Sequence, residues 1–216
     1  NRGRIAMYYL VNEWTLDDER LRKDLEQIGL SIQSLQLENV LDSIFSNQKV
    51  DSPLHMTSLP LPPFWEVYVN GDVVADGVKR GKIDCFQDRP QRVKKVDWYD
   101  PDGHCSASDH YDRSGSLFLK EVWSANERHF SIYTNDRMGK LYLFHQHDRA
   151  IYQTIDGLEQ GFSSIEDAKK ALLQEALLQA ETVFLSDPEL LKVLPKLEKE
   201  QIIFYGRSTL SEAELA

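Results

Sequence analysis

The rhythm of hydrophobic and polar positions changes twice along the chain. Residues 4–11, RIAMYYLV, form a short apolar run suited to a buried strand. Thr15 then stands as a helix N-cap, with Asp17 and Asp18 in the first turn, where the helix dipole favours acids. Leu16, Leu21, Leu25 and Ile28 supply the apolar face, and Gly29 the stop. From Leu30 to Leu37 apolar and polar residues alternate, which predicts a second strand. The opening thus predicts strand, helix, strand, the start of an α/β layer with parallel strands. No glycine-rich phosphate fingerprint lies between strand and helix, because Asn12-Glu13-Trp14 occupies that turn.

Residues 52–65, SPLHMTSLPLPPFW, are too rich in proline for a regular helix or a central strand and mark a boundary. Beyond Trp65 the period becomes that of strands. FWEVYV, DVVADGVKRGKIDCF, RVKKVDWY, HCSASDHY, SLFLKEVW, HFSIYT, KLYLFHQ and AIYQTI follow one another. Turn chemistry separates them at Asn70-Gly71, Asp100 to Gly103, Asp112 to Gly115, Asn126 and Asn135 to Gly139. Sequential strands with tight turns predict an antiparallel meander.

After Gly161 the helical period returns. Ser163 or Ser164 caps a helix with Glu166 and Asp167 in its first turn and Ile165, Ala168, Leu172, Ala176 and Leu177 on one face. TVFLSD predicts a buried strand, PELLKVLPKL a short helix with Pro188 at its first position, and QIIFYG a last strand. The fold class expected is therefore α/β: a Rossmann-like layer with an antiparallel β-meander inserted between its second and third units. The expected divisions are 1–60 and 159–216 for the two parts of the layer and 61–158 for the meander. Each α/β piece alone is too small to cover both faces of a parallel sheet.

Within the meander an aromatic, an acid and a turn recur: Tyr99-Asp100, Tyr111-Asp112 and Trp123-Ser124, the aromatics twelve apart. A strand plus a hairpin turn has that length. Consecutive turns fall at opposite ends of a meander, so Tyr99 and Trp123 are expected at one end and Tyr111 and Tyr133 at the other. Alternation puts Val96 and Trp98 on one face and Asp97 and Tyr99 on the other. It also sets Leu117, Leu119 and Trp123 against Phe118 and Val122. Neither face is purely polar, so the sheet is expected to be partly covered on both faces or to expose aromatics on one. The aromatics either staple neighbouring strands or face another polypeptide.

Composition narrows the function. A hydrophobic fraction of 41% with 28% charged residues over 216 residues is globular rather than disordered. A net charge of −10 argues against a general nucleic-acid partner and against docking on an anionic membrane by charge alone. The basic runs Lys79-Arg80-Gly81-Lys82 and Arg92-Val93-Lys94-Lys95 are expected to be solvated strand faces. No run is long enough for a membrane span, no signal peptide is visible, and Cys85 and Cys105 imply no disulfide framework, so a cytoplasmic location is expected.

No catalytic constellation emerges. His104, Cys105 and His110, or His145 and His147 sharing a strand face, are the best metal candidates, but no metal motif surrounds them and no metal or cofactor is expected. The carboxylates sit in turns and at helix starts. The serine-hydrolase elbow and the P-loop are absent. Cys85 has no activating partner.

Pro63-Phe64-Trp65-Glu66, the basic strand Lys79-Arg80-Gly81-Lys82, Lys94 to Gly103 (KKVDWYDPDG) and Asp109 to Gly115 (DHYDRSG) resemble motifs of the bacterial accessory-Sec glycosyltransferase pair. The likeness is greatest to its non-catalytic companion, the glycosylation chaperone or stabilising protein. It covers about half the chain. The resemblance implies a GT-B-type lobe carrying an extended β-sheet domain. It implies two partners, the catalytic glycosyltransferase subunit and a Ser/Thr-rich adhesin acceptor, and leaves room for peripheral membrane association of the complex. It also implies a donor site on a second lobe beyond these residues, so the chain is expected to be no enzyme by itself. Trp98, Tyr99, Tyr111, Phe118, Trp123 and Tyr133 become the candidate partner- or acceptor-binding residues. The alternative is the acceptor-side fragment of a catalytic retaining glycosyltransferase of protein O-GlcNAc or teichoic-acid type, since such relatives carry the same meander.

Overall fold

The computed structural model describes residues 7–11, 16–30, 32–36, 39–46, 52–178, 180–185 and 202–204. They divide into two compact units, residues 1–44 with 169–216, and residues 45–168.

The first unit is built on a four-stranded, all-parallel sheet. Its strands are β1 (Met7–Val11), β2 (Ile32–Gln36), β13 (Thr182–Leu185) and β14 (Ile202–Phe204), in the order β14-β13-β1-β2. All five residues of β1 are buried, as a central parallel strand requires. Helix α1 (Leu16–Gln27) joins β1 to β2, and Leu21, Leu25, Leu30 and Phe184 pack on a core of Met7, Tyr9, Val11 and Ile32. Ile28, expected on that face, is 71% exposed: the helix has ended at Gln27 and Ile28 sits in the turn closed by Gly29. A short helix, α2 (Val40–Phe45), follows β2, and α3 (Ile165–Leu178) precedes β13. Ser164 accepts from the Asp167 N–H at 3.0 Å and is the α3 cap; Leu172 and Leu177 are fully buried. The expected cap Thr15 and the expected helix from Pro188 lie outside the described residues. No described helix is long and apolar enough to cross a membrane.

The second unit carries ten strands in sequence order, each antiparallel to the next: β3 (Trp65–Val67), β4 (Asp72–Ala75), β5 (Val78–Phe86), β6 (Arg89–Tyr99), β7 (Cys105–Tyr111), β8 (Leu117–Ser124), β9 (Glu127–Asn135), β10 (Gly139–Phe144), β11 (Arg149–Gln153) and β12 (Glu159–Phe162). The run DVVADGVKRGKIDCF, expected as one strand, is two. Asp76 and Gly77 have φ of 52° and 74°, the twist-matched hairpin turn that Asp-Gly favours.

The faces of this sheet follow from register. On the front face Val73, Gly81, Ile83, Val96 and Trp98 are cross-strand neighbours. The segment 52–61 crosses this side as a strap. Its Met56 and Leu59 close a core with Val73, Ile83, Val93 and Val96. The strap also takes over a free sheet edge. Pairing of β6 with β7 begins at Lys95, so Val93 is left without a β7 partner, and its N–H donates to Leu54 O at 2.9 Å. On the back face the buried apolar residues belong to the other half of the sheet: Leu119, Tyr133, Leu141, Leu143, Ala150 and Tyr152. The Phe45 ring lies 5.3 Å from that of Tyr133, and Asn135 Nδ2 donates to Phe45 O at 2.8 Å. Each half of the meander is therefore buried on the opposite side from the other.

Candidate interaction surface

That arrangement leaves two quadrants without an apolar core. The back face from β4 to β9 carries an ordered polar row, part-exposed at Asp72, Lys82 and Asp97 and buried at Ser108, Glu121 and Ser131. Asp72, Lys82, Asp97, Ser108, Glu121 and Ser131 are successive cross-strand partners, one row running straight across six strands. Asp72 accepts from Lys79 Nζ at 2.9 Å and Lys82 Nζ at 3.2 Å. Asp97 Oδ1 accepts from Ser108 Oγ at 2.5 Å and pairs with Lys95 Nζ at 2.8 Å. Glu121 takes His110 Nε2 at 2.9 Å on one oxygen and Arg128 Nη1 at 2.6 Å on the other. Ser131 Oγ meets His145 Nε2 at 2.8 Å. Charges alternate in sign from Asp72 through Lys82 to Asp97, and hydroxyls stand on either side of Glu121, cross-strand pairings that stabilise a sheet face.

Two titrations are strongly displaced there. The Lys79 and Lys82 ammonium groups hold the Asp72 carboxyl at about 2. Burial pushes Glu121 up, but the hydrogen bonds from His110 and Arg128 outweigh it and hold this carboxyl also at about 2. On the front side burial, aided by Asp109, pushes the Tyr111 phenol to about 12.

The six candidate aromatics separate into three groups. Tyr99 and Trp123 stand on the back face two residues beyond Asp97 and Glu121, on the same side of the polar row, both half-buried. Lys79 Nζ lies 5.5 Å from the centre of the Tyr99 ring. The Trp123 indole nitrogen is buried without a hydrogen-bond partner. Trp98 and Tyr111 belong to the strap core, where Trp98 packs edge-on against Trp65 at 6.2 Å. Phe118 and Tyr133, 8% and 7% exposed, belong to the back core, with ring centres 6.5 Å apart. These four rings pack the interior of the unit rather than line an open face. Phe118 also departs from simple alternation. A register shift opposite His110 and Tyr111 makes it the extra residue of a bulge, so it and Leu119 are both buried while Leu117 is 41% exposed.

The family-like motifs turn out to be the framework of this unit. Trp98 Nε1 donates to the buried Asp109 at 2.7 Å. Its ring lies over Gly81, where a Cβ would come within 3.1 Å of it and 2.7 Å of Asp97 O, so the glycine of the basic strand makes room for the tryptophan of the next. Asp112 Oδ1 accepts from the backbone N–H groups of Ser114 and Ser116, shaping the β7–β8 turn. Trp98→Phe is expected to strand the buried Asp109 oxygen and cost about 2 kcal/mol, read as a lowered urea midpoint at unchanged slope.

The metal candidates do not assemble. His145 and His147 lie on a 3₁₀ turn (145–147) and not on a strand, so the two-residue spacing does not align them as it would on a strand. His110 is engaged by Glu121, away from the turn residue His104. Asp100, Asp102 and His104 do bring ligand atoms within 4.8 Å, but on an outer turn where Asp100 already accepts from the His104 N–H. Cys85 and Cys105 are free and half-buried; the Cys105 thiol lies against Ala107 O.

The second quadrant, the front face over β8–β11, was not singled out by the sequence. It holds Phe130, Ile132, Tyr142, Phe144 and Ile151, all half-buried, beside Val122 at 39% exposure. Phe130 stacks on Tyr142 at 6.3 Å and tilts against Phe144 at 5.1 Å. Its signal was present in HFSIYT and KLYLF, where both alternating sets are apolar although only one can enter the back core.

Residues 65–162 match the family described as the GtfB middle domain. The stabilising protein GtfB of UDP-N-acetylglucosamine–peptide N-acetylglucosaminyltransferase from Streptococcus gordonii is 36% identical over 86 residues, 38% of this chain and 19% of that protein. Its namesake from Streptococcus pneumoniae serotype 4 is 28% identical over 158 residues, 65% of this chain and 35% of that protein. The matches thus span about a fifth to a third of these relatives' length. Among solved structures, a chain of the GtfA/B complex bound to UDP and GlcNAc superposes with a TM-score of 0.67 at 19% identity, covering 96% of this chain and 50% of that one. A chain of the glycosylation-associated Gap123 complex of Streptococcus agalactiae gives 0.64 at 9% identity, covering 93% and 51%. These likenesses establish a shared fold.

Proposed function

We propose, from the premise that residues 65–162 are a GtfB-type middle domain, that the chain belongs to a non-catalytic companion subunit of a protein O-GlcNAc transferase. It stabilises the catalytic subunit and helps to hold a Ser/Thr-rich acceptor, in the cytoplasm. The match to that middle domain carries the reading, because its motif residues are the ones that bind strap, turns and polar row together. The four-stranded parallel sheet is consistent with part of a Rossmann-like GT-B lobe, with residues 1–60 and 159–216 as its two portions and 61–158 as the inserted sheet domain.

For the acceptor, the polar back face is the favoured seat. A Ser-rich polypeptide offers hydroxyls and backbone amides, and the part-exposed groups of this face, Asp72, Lys79, Lys82, Lys95 and Asp97, offer carboxylates and ammonium groups beside Tyr99 and Trp123. Extended backbone recognition is the mode such a ligand permits. Co-expression of this chain with a GtfA-type catalytic subunit and a Ser/Thr-rich acceptor fragment is expected to give a stable complex and raise GlcNAc transfer at least tenfold over the catalytic subunit alone. Tyr99→Ser with Trp123→Ser is expected to reduce acceptor capture without releasing the catalytic subunit. Transfer unchanged by the chain, with no complex formed, would overturn the companion role.

A further inference from the structure

The front face over β8–β11 combines two features that solvation does not explain together. Its centre is aromatic, Phe130 with Tyr142 and Phe144. Its rim is basic, in a chain whose net charge is −10. Register places Lys120 in one row with Ile132, Tyr142 and Ile151, Arg149 in the row of Val122, Phe130 and Phe144, and Lys140 in the row of Thr134 and Gln153. Lys120 leans toward Asp109 at 3.6 Å, but neither Lys140 nor Arg149 forms a salt bridge among the described residues. The carboxylate nearest in register, Glu159, accepts from Gln153 Nε2 at 3.3 Å. A shallow groove of about 180 Å³ runs between Lys120 and Lys140 over Ile132 and Tyr142. A polar ligand would find little to bond at its floor, and a cationic one would be repelled at its rim.

We infer that this face is a docking site for an acidic segment bearing apolar or aromatic side chains on the catalytic partner subunit. The side chains seat on Phe130, Tyr142 and Phe144, and the carboxylates reach Lys140 and Arg149. The inference rests on the companion-subunit reading and assigns its protein contact to a quadrant separate from the polar back face. Desolvated aromatics at the centre with charges at the rim is the anatomy of a specific interface, the centre setting dissociation and the rim setting encounter rate and salt dependence.

The test is capture of a GtfA-type catalytic subunit by immobilised chain across 50–500 mM salt. Wild-type affinity is expected to fall steeply with salt. Lys140→Glu with Arg149→Glu, both exposed and therefore tolerated by the fold, is expected to weaken capture at least tenfold at low salt and remove most of the salt dependence. Phe130→Ser with Phe144→Ser is expected to speed dissociation at every salt concentration, with a matching circular dichroism melt showing that the sheet persists. Wild-type capture that survives the charge-reversed variant within twofold would overturn this face while leaving the companion role standing. A wild-type chain that captures no catalytic subunit would overturn both. Self-association of the chain in sedimentation, abolished by the same charge reversal, would assign the face to a second copy and equally overturn the inference.

Discussion

Gly115→Ala is expected to destabilise the unit of residues 45–168 by about 2–4 kcal/mol. Gly115 has φ of 85°, where a β-carbon is already unfavourable. The added carbon would also stand 2.6 Å from Leu54 N and 2.7 Å from Ser52 O, both backbone atoms of the strap, which cannot rotate aside. The strap must therefore lift or the β7–β8 turn must change shape. Hydrogen exchange distinguishes this from general loosening. The Val93 amide, bonded to Leu54 O, is expected to lose protection by a hundredfold or more, while the amides joining β9 and β10 keep theirs. Uniform loss across the sheet would show that Gly115 does not act through the strap.

The second large effect centres on Glu121. Its carboxylate is buried, with side-chain exposure of 6%, between His110 and Arg128. Glu121→Ala removes the shared anion and leaves two cationic or polar groups facing one another; a loss of about 3–5 kcal/mol is expected at pH 7. The acid limb gives a sharper check. The folded-state pKa is about 2 against an ordinary 4.5, so the unfolded chain takes up a proton first as pH falls. The contribution of Glu121 is complete above 4.5 and is lost as pH falls from 4.5 toward 2. It amounts to about 3 kcal/mol. Glu121→Gln is therefore expected to be markedly less stable than wild type at pH 7 and nearly equal to it by pH 2. Urea unfolding at several pH values checks this; a difference constant with pH would remove the carboxylate's charge from the account.

Much of the architecture was legible in the sequence because it rests on local signals. The strand–helix–strand opening, the meander and the capping serine of α3 each follow from a period or a turn residue. The Asp76-Gly77 turn carries an equally local signal, masked by the apolar residues that continue on both sides of it. The site was less legible, for a physical reason. A row such as Asp72–Lys82–Asp97–Ser108–Glu121–Ser131 exists only once five registers are fixed, and those registers contain bulges at Val73/Val74, Trp98/Tyr99 and Val122/Trp123. One bulge moved Phe118 to the side opposite the one alternation predicts. The choice among aromatics was likewise beyond periodicity. Trp98 and Tyr111 look no different from Tyr99 and Trp123 until the proline-rich strap is known to cover one side. The pairing of His145 with Ser131 rather than with His147 depended on a 3₁₀ turn that the preceding apolar run LYLF does not announce.

The order of the strands also bears on how the chain reaches this structure. Every ladder of the ten-stranded sheet joins neighbours in sequence, so each can close over a short loop as soon as its two strands exist. The parallel sheet is different: Met7 pairs with Thr182, with the entire antiparallel sheet between them in sequence. Loop closure over such a distance is slow for an unfolded chain and leaves the apolar strand β1 paired only with β2 during synthesis. A meander already folded shortens the search, since the stretch between the two ends is then compact rather than random. On a ribosome the antiparallel sheet would form first from its leading hairpins, and β1 would wait for Thr182–Leu185 to emerge. A chain interrupted before Thr182 would therefore keep its antiparallel sheet and leave Met7 to Leu10 with an open apolar strand edge, the template on which another chain can add.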